Sequence, residues 1–249
     1  MPSINVLYED NHLLVVNKSA GVATMGAEPG LETIHSMACE YLKRKYNKPG
    51  NVFVGVVSRL DTMTSGVLVL ARTSKAASRL SDQFAGRGQW KTRKMYLAAV
   101  KGSIRPARGE WLDWVYKDDA AHRMRLTEAS TEGAREAQLR YQTVAESESG
   151  TLLAIELITG RKHQIRVQSS DRGHAILGDR KYGSRVPFPE GIALHSWQLV
   201  IHHPTKRVPM RFHVDPPPSW QHASLPKIDP YRQRLLKDFQ FDDESLETN

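Results

Sequence analysis

Apolar residues arrive along this chain in short bursts separated by polar turns, the rhythm of strands more than of long helices. Residues 4–8 and 13–17 read as two strands around a polar turn at 9–12. A glycine-rich loop over 19–31 follows. Behind Thr33, the residues Ile34, Met37, Ala38, Tyr41 and Leu42 recur at helical spacing up to about Tyr46. Residues 52–57 and 67–71 are β-branched and apolar, hence two more strands. Ser74 stands as the N-cap of a helix reaching about Phe84, and 95–100 is a strand led in by Lys91, Arg93 and Lys94. Residues 103–137 are polar and weakly periodic and receive no assignment. Residues 139–145 and 152–158 form a hairpin joined at 148–150, a basic helix runs from Arg161 to Gln168, and 192–201 and 208–213 are late strands. No repeat of fixed period appears. Strands outnumber helices and several adjoin in hairpins, so the expected fold is α+β, a single domain with a mixed, largely antiparallel sheet.

Composition narrows the classes. The 249 residues contain one cysteine, Cys39, which excludes an internal disulfide and a cysteine zinc cluster. The longest apolar runs, such as 66–71, fall far short of the roughly 20 residues that cross a bilayer. The first residues have neither a basic start nor an apolar core. The expectation is a cytoplasmic protein away from membranes and, with no coiled-coil seam, a monomer.

Charge adds a direction. The chain carries +8, and its last stretch, 237–249, holds one lysine against five acidic residues, a net of −4, so the remainder carries +12. A basic body points toward a polyanion such as nucleic acid. The three prolines at 216–218 end the regular body. The expected layout is a catalytic domain over 1–214 and a Pro-rich, then acidic, partly disordered tail over 215–249.

Three polar clusters can carry chemistry. Ser58-Arg59-Leu60-Asp61-Thr62-Met63-Thr64-Ser65-Gly66 lies between two apolar segments, where charge needs partners. A carboxylate there can be nucleophile, base or metal ligand, or simply close a turn with a salt bridge. In the second cluster, residues 159–166, a helix begun near Lys162 would place Lys162 and Arg166 on one face. Arg166 matters if it points inward, since a guanidinium grips a carboxylate with two hydrogen bonds. In the third, 91–96, Tyr96 is either a packed core ring or a stacking platform for a base.

Taken together these segments resemble the RluA-type family of RNA pseudouridine synthases. The matching blocks, in order, are EDNHLLVVNKSAGV at 9–22, SRLDTMTSGVLVLART at 58–73, RKMYLAAVKG at 93–102, LITGRKHQIRVQ at 157–168, GDRKYG at 178–183 and LHSWQLVIHHP at 194–204. They span most of 4–214. The match opens within the first ten residues, so the short form without an extra N-terminal RNA-binding domain is expected.

The resemblance implies a mixed-sheet synthase fold flanked by helices, with a basic cleft. It also implies isomerisation of uridine to pseudouridine in rRNA or tRNA, without cofactor or metal. By motif position it makes Asp61 the catalytic aspartate, Tyr96 the stacking tyrosine and Arg166 the basic partner of the catalytic carboxylate. Arg59 would help hold the flipped nucleotide. Leu60, Thr64, Ser65, Gly66, Lys94, Arg161, Lys162, His163, Gln164, Leu194 and His195 complete the implied substrate-binding set. Two positions depart from the family pattern: Ser58 and Gln168 stand where histidines are usual. The alternatives are an RNA-binding protein of this fold without catalysis, and a nucleic-acid hydrolase using Asp61 and a water.

Overall fold

A computed structural model describes residues 4–28, 30–223, 225 and 235. The acidic stretch 237–249, expected to be disordered, lies outside the described residues. In chain order the elements are β1 (Asn5–Glu9), β2 (Leu13–Lys18), α1 (Ile34–Lys45), β3 (Gly55–Val56), β4 (Ser65–Ala71), α2 (Ser74–Phe84) and β5 (Arg93–Val100). Then come β6 (Arg108–Asp118), β7 (Arg123–Thr127), β8 (Arg135–Ser147), β9 (Gly150–Leu157), α3 (Gln164–Asp171), β10 (Leu194–His202) and β11 (Pro209–His213). No described helix is long and apolar enough to cross a membrane. The class is α+β with a mixed sheet, and the chain folds as two compact units.

The first unit comprises the described residues up to Lys94 together with Glu190–Pro217. β1 and β2 form a hairpin closed by Asp10, whose carboxylate accepts from the backbone N–H groups of His12 (2.7 Å) and Leu13 (2.8 Å). Burial alone would raise the Asp10 pKa, but these bonds and one from His203 outweigh it and hold it at about 2. β2 runs antiparallel to β4 from Leu13↔Ala71 to Lys18↔Gly66, and β10 joins β4 in parallel at His195↔Ser65. The expected strand over 52–57 shrinks to Gly55 and Val56. β10 takes the start of the second edge of β4, leaving only Leu70 and Ala71 for those two residues.

Leu13, Val15, Val67, Val69 and Ala71 pack with Ala76 and Leu80 of α2 in a closed core. Full burial of the valine and leucine side chains among them contributes about 1.5–3 kcal/mol each. α1 starts where the sequence places it, on a capping box between Thr33 and Ser36. The cap of α2 falls one residue before expectation: Thr73 has the extended backbone a cap needs and its hydroxyl accepts from the Ala76 N–H, making Ser74 the first helical residue.

The second unit comprises Met95–Pro189 and the described residues from Pro218 onward. Its strand order is β5-β9-β8-β6-β7. The unassigned stretch 103–137 forms β6, β7 and the start of β8. These strands bury Trp111, Val115 and Ala137 on one face and turn Glu110, Leu112 and Arg140 outward. The inward face of β6 also carries Gly109 and Asp113, and its outward face Leu112 and Tyr116, which breaks the apolar–polar alternation.

The β8–β9 turn depends on Gly150. Its φ is +144°, and a Cβ there would sit 2.2 Å from the Val100 carbonyl oxygen. Gly150→Ala is expected to cost about 3 kcal/mol or more, because it adds a backbone clash to a forbidden φ. Gly133→Ala, at φ +76° with open space around it, is expected to cost about 1–2 kcal/mol. Urea unfolding of both variants checks the difference; equal losses would refute the steric account.

Candidate active site

Asp61 sits half-buried on the turn that enters β4, and almost every neighbour of it in the chain is pinned. Lys18, the last residue of β2, is fully buried, with its ammonium beneath this turn. It donates to the carbonyls of Ser19 (2.9 Å), Thr62 (3.0 Å) and Thr64 (2.8 Å), so its last two bonds straddle Met63, just past Asp61. Burial pulls the Lys18 pKa down to about 7, against an opposing pull from the Asp61 carboxylate. Thr24 clamps Leu60 twice, its hydroxyl donating to the Leu60 carbonyl (2.9 Å) and accepting from the Leu60 N–H (3.2 Å). Gly21 N–H donates to the Thr62 carbonyl, Thr64 N–H to that of Asp61, and Ile192 N–H to that of Met63.

Two close approaches complete the frame. Gly66 has φ +115°, and a Cβ on it would meet the Ser196 carbonyl oxygen at 2.2 Å; one on Gly191 would meet that of Met63 at 2.5 Å. Ser65 donates its hydroxyl to His195 Nδ1 (2.8 Å). That direction follows because His195 Nε2 donates to the Val214 carbonyl (2.9 Å), which fixes the tautomer. Burial lowers the His195 pKa to about 4, so the ring stays neutral near pH 7. The result is a rigid turn whose open side presents Arg59, Thr62 and Met63, with Asp61 among them.

In the second unit, Tyr96 lies on β5 between the buried Met95 and Leu97 and is itself half-exposed, so it is not a closed core ring. Arg166 points inward from α3. Its Nε and Nη2 donate to the two carboxylate oxygens of Asp179 at 2.6 and 2.9 Å, both side chains being almost fully buried. The Tyr182 ring lies 5.0 Å from the guanidinium carbon. The Tyr182 hydroxyl accepts from the Met124 N–H (3.0 Å) and bonds His163 Nδ1 (2.8 Å).

The helix does not begin near Lys162. His163 adopts a left-handed φ of +53°, and α3 starts at Gln164, so Lys162 and Arg166 do not share a helix face. The Gln164 amide causes the break: its oxygen accepts from Arg161 N–H (3.0 Å) and the Thr159 hydroxyl (2.8 Å), while its nitrogen donates to the Gln138 carbonyl (3.0 Å).

Of the residues implied as substrate contacts, Leu60, Thr64, Ser65, Gly66, Gln164, Leu194 and His195 are buried. Ser65 and His195 hold the turn and Gln164 holds the loop. Arg59, Arg161 and Lys162 are exposed, and Lys94 and His163 are half-exposed. At one family departure, Gln168 is fully buried and donates to the Asp113 carboxylate (2.7 Å) and the Ala137 carbonyl (3.0 Å). The sequence analysis missed Lys18, Thr24 and Asp179. A lysine closing an apolar strand, and an aspartate one glycine beyond the buried Ala175-Ile176-Leu177 run, were the available signals. Among the described residues no group of three or more His, Cys, Asp or Glu side chains could hold a metal ion.

Comparison with known proteins points one way. Residues 12–171 match the family model described as RNA pseudouridylate synthase. The dual-specificity RNA pseudouridine synthase RluA of Vibrio cholerae is 32% identical over 246 residues, covering 96% of this chain and 93% of its own. RluA of Escherichia coli K12 is 35% identical over 216 residues, covering 85% and 92%. The ribosomal large subunit pseudouridine synthase D of Xylella fastidiosa is 32% identical, but this chain spans 64% of its length. Among solved structures, human RNA pseudouridylate synthase domain containing 4 superposes with a TM-score of 0.72 at 23% identity, covering 92% of this chain and 93% of that one.

Two predictions test the geometry. With its pKa lowered from 10.5 to about 7, Lys18 binds its proton more weakly folded than unfolded. Its penalty is therefore fully present below pH 7 and is relieved as pH rises toward 10.5. The melting temperature of the native protein should rise between pH 7 and 9 relative to that of Lys18→Met. A parallel pH course in the two proteins would contradict the assignment. In the second unit, Asp179→Leu leaves a buried guanidinium without its carboxylate and should cost about 3–5 kcal/mol in urea unfolding. Adding Arg166→Met should recover part of that loss; a further loss would show that the pair itself stabilises the fold.

Proposed function

The chain belongs to the RNA pseudouridylate synthase family, and from that premise we propose that Asp61 is its nucleophile, Tyr96 its base-stacking residue and Arg166 its positioned cation. The protein is an RNA pseudouridine synthase, an isomerase. We propose uridines of rRNA or tRNA as substrate. Relatives named for the large ribosomal subunit and for dual specificity support that choice. The catalytic domain we propose covers 1–214.

The observation that carries the nucleophile assignment is the frame around Asp61. Isomerisation breaks a carbon–nitrogen glycosidic bond, turns the uracil and forms a carbon–carbon bond, with no change in composition. A carboxylate must meet an electron-poor carbon at a defined distance, and a turn held at Leu60, Thr62, Met63, Thr64 and Ser65 delivers that alignment without reorganisation. Flipping the uridine out of its stack costs a few kcal/mol. Stacking on Tyr96, about 1–3 kcal/mol for an aromatic ring on a base, and phosphate contacts from Arg59, Lys94, Arg161 and Lys162 offset that cost. Asp179 holds Arg166 by two hydrogen bonds, so its charge is fixed in direction.

The test is Asp61→Asn on unmodified rRNA and tRNA transcripts, with product and binding measured on the same RNA. Pseudouridine formation should vanish while affinity stays within a few-fold. Substantial residual turnover would remove Asp61 from the nucleophile role, and free uracil or a cut chain from the native protein would replace the isomerase reading with a hydrolase.

A further inference from the structure

In the first unit, the far end of β10 carries a second basic structure that the catalytic turn does not use. β10 meets β4 at Ser196 and ends at His202, six residues on, which at about 3.3 Å per residue is roughly 20 Å away. There the Trp90 ring stacks on the His202 imidazole, with centroids 5.2 Å apart and an interplanar angle of 18°. The guanidinium carbon of Arg207 lies 5.9 Å from the centre of the same indole.

This arrangement is built, not incidental. Gln83 of α2 fixes His202 twice, donating to its carbonyl and accepting from its N–H, both at 2.9 Å. Arg79 donates to the Pro204 carbonyl (2.7 Å). His203 donates from Nε2 to Asp10 (2.7 Å), and its Nδ1 accepts from the Lys206 N–H (2.9 Å). The turn that presents Arg207 is therefore tied to α2 and to the β1–β2 hairpin. Arg207 itself has φ +62°, a region that glycine or asparagine fills more cheaply. A strained backbone occupied by arginine indicates that the side chain is wanted there.

Several surface arginines are neutralised in place. Arg44, Arg87, Arg105, Arg125 and Arg140 each face a carboxylate. Two carboxylates on the elements that hold this patch are also taken: Asp82 of α2 by Arg87, and Asp10 of the β1–β2 hairpin by His203. Among the described residues none pairs with Lys91, Lys206 or Arg207, all three exposed. An unpaired guanidinium held over an indole, with an unpaired lysine adjoining each of the two residues in the chain, is preorganised for phosphate.

Building on the RNA synthase reading, we propose that Trp90, Lys91, Lys206 and Arg207 form a second RNA-contact station, which grips the phosphodiester backbone of the substrate away from the flipped uridine. The indole contributes by fixing Arg207.

The experiment measures binding of unmodified large-subunit rRNA and tRNA transcripts across a salt series. Each phosphate contact contributes about 0.7–0.9 to the slope of log K against log salt. The triple variant Lys91→Ala, Lys206→Ala, Arg207→Ala should lose about two units of slope and at least tenfold in affinity near 0.15 M salt. The equal-charge control Arg44→Ala, Arg105→Ala, Arg125→Ala should lose less than threefold. Trp90→Leu, which removes no charge, should weaken binding several-fold. Equal losses in the two triple variants, or full affinity in Trp90→Leu, would overturn the proposal. Pseudouridine formation by the native protein on the same transcripts is scored in parallel. Its absence would refute the synthase reading, while the binding comparison would still decide the station.

Discussion

The ammonium of Lys18 is out of contact with water, and its three N–H donors all go to backbone carbonyls around the turn that carries Asp61. Burying such a charge is expensive, and hydrogen bonds to it offset the cost only while all are made. The end of β2, the start of the glycine-rich loop and the 60–64 turn must therefore form together or not at all. Three further contacts in the first unit serve that junction. Thr24 seals the loop against Leu60, Gly66 lets β4 approach β10, and a neutral His195 locks Ser65 without adding a second buried charge.

The second unit solves the same problem with a pair. Arg166 and Asp179 bury each other's charge, and Tyr182 covers the guanidinium while its hydroxyl reaches His163 at the left-handed step before α3. A buried ion pair is weak as a source of stability, since desolvation cancels most of the attraction. Its return is direction: two parallel hydrogen bonds leave the guanidinium one orientation. Both units thus spend folding free energy on holding a charged group still, which is what the proposed catalysis by alignment requires.

Much of this was legible in the sequence. The apolar bursts at 13–17 and 67–71 gave the paired central strands, and Thr33 gave the helix start, because burial and capping are local and periodic. The region 103–137 was not legible, since β6 puts Gly109 and Asp113 on its inward face and Leu112 and Tyr116 on its outward one, so apolar and polar residues do not alternate. The start of α3 was missed because the break at His163 comes from the Gln164 side chain closing on Thr159, Arg161 and Gln138, the last of them 26 residues away. Motif positions named Asp61, Tyr96 and Arg166 but not their supports. Lys18 lies 46 residues from Thr64, whose carbonyl it holds, and that pairing exists only in the folded chain.

Lys18 aligns the turn that carries the proposed nucleophile, through its hydrogen bonds to the backbone on either side of Met63. The most direct measurement is single-turnover pseudouridine formation by Lys18→Met at saturating RNA, with RNA affinity and far-UV circular dichroism recorded on the same preparation. The variant should fold, bind RNA within a few-fold of the native protein and turn over at least about a hundredfold more slowly, the scale of a misplaced reacting group. A folded Lys18→Met that isomerises uridine at the native rate would contradict this role of Lys18.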